Sequence, residues 1–101
     1  MTAIPSSVAA SVEILVKAFP VEDIWYLEAG DAPECGLERP HNLIVAVRDG
    51  EEAHRLEPAM RARLQDAAED VHVFPLAAFE RIPRPLLVKM ALTHGESVFR
   101  R

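Results

Sequence analysis

The chain has 101 residues, half of them hydrophobic, with 16 Asp plus Glu against 11 Lys plus Arg and a net charge of −5. That length and composition predict one globular domain over 1–101; they exclude two cores and a disordered chain, and no apolar run reaches the ~18 residues that span a bilayer. An acidic balance argues against general nucleic-acid binding, which needs clustered Lys and Arg. The single cysteine, Cys35, excludes an internal disulfide framework and fits a reducing cytosol. Met1–Ser7 carries no basic residue before the first apolar stretch, so a cytoplasmic chain without a secretory leader is expected.

Val8, Val12, Leu15, Val16 and Phe19 recur at helical spacing. They predict a first helix, capped by Ser6 or Ser7 and ended by Pro20. Ile24–Leu27 is rich in β-formers and reads as a strand. Ala29–Pro40 holds two Gly and two Pro and reads as a loop with room for one helical turn. The unbroken apolar run Leu43–Val47 has the character of a strand buried on both faces. Glu51–Ala68 is the second predicted helix, with Leu56, Met60 and Leu64 inward and either a start near Glu57 or a kink at Pro58. Val71–Phe74 is a third strand, halted by Pro75. Leu76–Ile82 is a short helical turn. Pro85–Thr93 is a third helix with Leu86, Leu87, Met90 and Ala91 inward, closed by His94 and Gly95. Ser97–Arg100 is extended and available as a fourth strand. The order α-β-β-α-β-α predicts an α+β fold, a small mixed sheet of three core strands covered by helices. Leu43, Val45, Val47, Val71 and Val73 are its expected buried centre.

Charge is segregated. Glu22–Glu38 holds six acidic residues and no basic one, whereas Arg81–Arg101 holds five basic residues and one acidic. Two solvated faces of opposite sign account for this, as does a polar contact between copies or with a partner.

Familiar chemical motifs are missing. His41, His54, His72 and His94 form no His-x-x-x-His pair, and Cys35 with His41 supplies two ligands where zinc needs more, so no metal site is assigned. Cys35 has no neighbouring base and reads as an inert thiol. Arg39, Arg48 and Arg84 are isolated candidates for anion contacts.

The segments Ile24-Trp25-Tyr26-Leu27-Glu28-Ala29-Gly30 and Arg39-Pro40-His41-Asn42-Leu43-Ile44-Val45 carry a resemblance. Their spacing is similar to that of the minimal nucleotidyltransferase family of the DNA polymerase beta superfamily. There a strand ends in Phe-Gly-Ser, ten residues follow, and Asp-x-Asp leads into an apolar strand. Here Leu27-Glu28-Ala29 stands at the first motif, Gly30–Arg39 supplies the ten residues, and Pro40-His41-Asn42 stands at the second. Asp70-Val71-His72-Val73-Phe74 resembles the strand bearing the third carboxylate. Phe79–Ile82, the Pro85 helix and Gly95–Phe99 resemble the family's ending.

The resemblance implies a nucleotidyltransferase-like fold whose site positions are Glu28, Ala29, Pro40, Asn42 and Asp70. In the family, three carboxylates hold Mg²⁺ and a Gly-Ser turn cradles the triphosphate. Here Pro40 offers no ligand, Asn42 a neutral amide, Ala29 no hydroxyl, and only Asp70 keeps its carboxylate. A Glu28 carboxylate about 4 Å from a phosphate charge would add repulsion on the order of 4 kcal/mol at an effective dielectric near 20. The expectation is therefore a degenerate member with no catalytic residues and no cofactor. Such a domain would act as an interaction or regulatory module, with a protein partner or a second copy of itself. The resemblance implies an antitoxin-like role beside a HEPN-type partner. The charge asymmetry and the solvent-facing part of Trp25-Tyr26 would serve as docking surface. Two alternatives stand beside it: a nucleotide-binding sensor, and an active enzyme using Mg²⁺ with ligands displaced to Glu28, Asp31, Glu34 or Glu38.

Overall fold

Burial of the 43–47 run on both faces requires cover on both sides of the sheet, and the fold supplies it. The computed structural model describes residues 4–101. Residues 1–3, the start of the segment read for a leader, lie outside the described residues. The elements are α1 (Ser6–Ala18), β1 (Asp23–Glu28), β2 (His41–Val47), α2 (Gly50–Arg63), β3 (Asp70–Pro75), α3 (Leu76–Glu80), α4 (Leu86–His94) and β4 (Glu96–Arg100). The 29–40 loop holds two 3₁₀ turns, Ala29–Asp31 and Pro33–Cys35.

One mixed sheet runs in the order β3-β2-β1-β4. β1 pairs antiparallel with β2 and β4, and α2 is the crossover that makes β3 parallel to β2. Ser97–Arg100 thus does join the sheet, with a bulge against Ile24 and Trp25. Every residue from Asn42 to Val47 is buried, because β2 is central. Leu43, Val45, Val47, Val71 and Val73 pack with Val8 and Leu15 of α1 and Leu56 and Met60 of α2. On the opposite face Leu27, Ile44 and Ala46 pack against Phe79, Val88 and Ala91. The result is an α+β fold of helix, sheet and helix layers, and no helix of the described residues is long and apolar enough to cross a membrane.

Local chemistry corrects several expectations. Pro5, not Ser6 or Ser7, caps α1, its carbonyl accepting from the Val8 and Ala9 amides. The inward stripe of α1 is Val8, Ser11 and Leu15, with Val12, Val16 and Phe19 half-buried at its side. Ser11 turns inward because its hydroxyl donates to the buried Glu69 carboxylate. Helix α2 starts at Gly50, ahead of Pro58, because the Asp49 side chain accepts the Glu52 N–H at 2.9 Å and nucleates the first turn. It ends at Arg63 rather than at Ala68. Leu86 is not inward: it opens α4 and is 47% exposed, and Val88 takes its place in the core. Tyr26 is buried in the first core and Trp25 is half-buried against the second, so the solvent-facing part of the pair comes down to part of Trp25.

Candidate functional site

Parallel pairing sets Asn42 directly opposite Asp70, so the sheet itself brings two of the five expected positions together. Asn42 is fully buried. Its Nδ2 donates to the Arg39 carbonyl at 2.9 Å, and its Oδ1 lies 3.1 Å from His72 Nε2. An amide oxygen only accepts, so His72 Nε2 carries the hydrogen and donates. Asp70 accepts from Arg61 Nη1 at 2.6 Å and from the Val71 N–H at 3.0 Å. Arg61 also reaches Glu57 at 3.5 Å, and Glu57 accepts the Val73 N–H at 3.1 Å, covering part of the edge of β3. Burial is the main force lowering the His72 pKa; Arg61 adds to it, and Asp70 and Glu57 oppose it. His72 is therefore a neutral imidazole at pH 7.

The other positions gather differently. The Ala29 N–H donates to the Pro40 carbonyl at 3.0 Å, which joins the two motif segments by backbone. Pro40 itself is exposed. Glu28 pairs with His41, one residue from Asn42, so alternation along the strand turns its side chain to the other face. There Tyr26 donates to Glu28 Oε1 at 3.2 Å and sits 2.7 Å from His41 Nδ1. The hydroxyl has one proton, so in that arrangement His41 donates to it. Burial, with Glu28 next, pushes the Tyr26 pKa up to about 12. Glu28 and Asp31 border a small cleft of about 200 Å³ with Glu96, apart from Asp70.

Asp70 and His72 border a larger cleft of about 500 Å³, facing Glu34, Cys35 and Glu38 of the loop and Leu86 and Leu87 of α4. Burial, with Glu34 adding, raises the Cys35 pKa and keeps it a thiol. The residues around Asp70 do not fit the family's metal: both ends of the Asn42 amide are engaged, and Asp70 is paired to a guanidinium. Among the described residues, no three His, Cys, Asp or Glu side chains converge as metal ligands. The isolated arginines each have a contact within the chain, that of Arg84 through its Nε. Arg39 donates to the Ala67 carbonyl, Arg84 to the Phe79 carbonyl, and Arg48 pairs with Asp49.

The sequence reading gives no role to Arg61, Glu57 or Glu69, and names His72 only among four histidines without ligand spacing. The i,i+4 spacing of Glu57 and Arg61 was a readable signal, as was His72 two residues from Asp70 on one strand face. Glu69 gave none: its only side-chain bond is from Ser11, 58 residues away, and its Oε2 has no hydrogen-bond partner among the described residues. No family model, curated protein or solved structure matches the chain.

Proposed function

We propose that this chain is a catalytically degenerate nucleotidyltransferase-like domain working in the cytosol as a protein-interaction or regulatory module. One observation carries the reading. Asn42 and Asp70 adjoin, as Asp-x-Asp and the third carboxylate would, yet their polar atoms are spent on Arg39, His72, Arg61 and the backbone. A side chain committed to holding the fold cannot also bridge two Mg²⁺ ions, which need several free oxygens. The four-stranded mixed sheet between helices is compatible with the expected α+β class. The antitoxin-like role beside a HEPN-type partner rests on the resemblance alone.

Calorimetry with ATP and Mg²⁺, followed by incubation with labelled ATP and protein and RNA acceptors, tests the reading. No heat of binding and no labelled product are expected. Binding without transfer would replace the module by a nucleotide sensor. Transfer abolished by Asp70→Ala would replace it by an enzyme.

A further inference from the structure

Part of the charge segregation is absorbed within the chain. Arg101 pairs with Glu22 at 3.3 Å, and Arg100 stands opposite Asp23 across β4 and β1. Among the described residues, Glu34, Glu38, Arg81 and Arg84 enter no ion pair. All four lie around the 500 Å³ cleft or on the loop that leads into it. Glu34 and Glu38 line one wall, Leu86 and Leu87 the other, and residues 81–85 run straight into Leu86. That loop carries Ile82, 84% exposed, the most exposed of the large apolar side chains. Leaving an isoleucine in water forgoes the hydration free energy that docking would recover. Pro83 and Pro85 fix φ on either side of Arg84, so the loop loses less freedom on docking.

We infer that a second copy of this chain occupies the cleft, each copy inserting its 81–85 loop into the other. Ile82 lies against the partner's leucine wall, and Arg81 and Arg84 face the partner's Glu34 and Glu38. A two-fold interface uses one patch on both copies, so the inserted segment and the receiving cleft must share a face. They adjoin at Leu86, which follows the loop directly and lines the cleft. The charges set orientation and the isoleucine supplies most of the affinity, since exposed ion pairs contribute little. The inference rests on the interaction-module reading and names its partner. The edge of β4 is a poorer docking site, because its bulge blunts strand addition.

Sedimentation equilibrium of the full chain tests this. Against a monomer of 11.2 kDa, a doubled mass is expected as concentration rises into the high micromolar range. Ile82→Asp changes a solvent-exposed side chain and should weaken the dimer at least about 30-fold, as a central anchor does. Glu34→Arg with Glu38→Arg, and separately Arg81→Glu with Arg84→Glu, should each give monomers. Mixed together, the two should form heterodimers, because both exchanged contacts then become complementary. Arg81→Glu alone keeps the Arg84 bond to Phe79, so it folds as the parent does, and it should also weaken the dimer. Ala9→Glu, on the exposed side of α1, should change nothing. A parent that stays monomeric, a dimer indifferent to Ile82→Asp, or mixed variants that stay apart would overturn the inference. Loss of the dimer in Ala9→Glu would place the interface at α1 and overturn it too. ATP binding by the parent sinks the module reading whatever the mass. A monomeric parent without ATP binding sinks only the self-association.

Discussion

Asn42→Asp separates a structural amide from a displaced metal ligand. The position is fully buried, and the Nδ2 donor now 2.9 Å from the Arg39 carbonyl would become an oxygen facing an oxygen. Losing that hydrogen bond costs about 1 kcal/mol. The larger penalty is a buried carboxylate directly across the sheet from Asp70, whose one guanidinium is already shared with Glu57. Leaving a buried charge uncompensated costs about 3–5 kcal/mol, a large part of the roughly 5–15 kcal/mol that holds a domain folded. His72 offsets part of this by taking a proton, at the expense of its own burial. A net loss near 3 kcal/mol lowers the urea midpoint by about 2 M at a slope near 1.5 kcal/mol/M.

The assay is urea unfolding at pH 7 with and without millimolar Mg²⁺. A native-state metal site stabilises by mass action, so a restored ligand set would raise the variant's midpoint when Mg²⁺ is added. The expected result is a large destabilisation that Mg²⁺ does not repair. Unchanged stability, or a variant returned to the parent's midpoint by Mg²⁺, would refute the structural role given to Asn42. NMR titration supplies the second reading: the His72 pKa should rise in the variant, because the group accepting from Nε2 becomes charged.

Val45 is fully buried in the central strand, so Val45→Asp should unfold the domain, and an unchanged melting temperature would contradict the core assignment. Gly95 has φ −84°, open to any residue, but a Cβ there would lie 2.5 Å from the Ala91 carbonyl oxygen and 2.7 Å from that of Tyr26. Gly95→Ala should therefore cost about 3 kcal/mol, read as a fall in melting temperature, because α4 and β1 cannot both retreat. The His72 pKa lies below its ordinary 6.5 in the folded state, so the unfolded chain binds more protons between the lowered value and 6.5. Stability should be fully present above pH 6.5 and be lost as pH falls through the folded value; urea midpoints in His72→Gln should fall less over that window than in the parent.

Much of the scaffold was legible because it rests on local pattern. Leu43–Val47 announces a strand covered on both sides, and Pro20 and Gly95 mark two helix ends. Other features depend on competition between local terms. Pro58 removes the amide that would donate to the His54 carbonyl, which argues for a later helix start. The Asp49-x-x-Glu52 cap outweighs it, and that cap was readable at its spacing. Leu86 fits an apolar helix stripe, yet Pro85 caps the helix and leaves Leu86 in its first turn, outside the core. Of the candidate site, Asn42 and Asp70 adjoin and Glu28 turns away, and only the resemblance had put 42 and 70 together. It said nothing of parallel register with β3, which puts His72 over the amide, or of α2 lying close enough for Arg61 to reach Asp70. Those contacts span 30 and 9 residues and exist only once the crossover has closed.

The same contacts set how charge is balanced at this end of the sheet. Carboxylates at 40, 42 and 70 would gather like charges at one place, and like charges in a partly buried site raise the cost of ionising each of them. A divalent cation relieves that cost, so such a site is coupled to its metal. In this chain position 40 is uncharged and position 42 is a neutral amide with both ends bonded. The remaining carboxylate at 70 has Arg61 at 2.6 Å. Arg61 hangs from the same helix as Glu57, which serves the β3 edge, so one turn of α2 balances the charge and covers the strand. The cleft base is thereby cross-bonded and its charge partly offset. The unmatched charge sits on the rim, at Glu34 and Glu38, where water tolerates it when the cleft is open. A cationic segment entering the cleft gains from those rim carboxylates and disturbs none of the bonds beneath them. An anionic group entering the cleft would meet those rim carboxylates first.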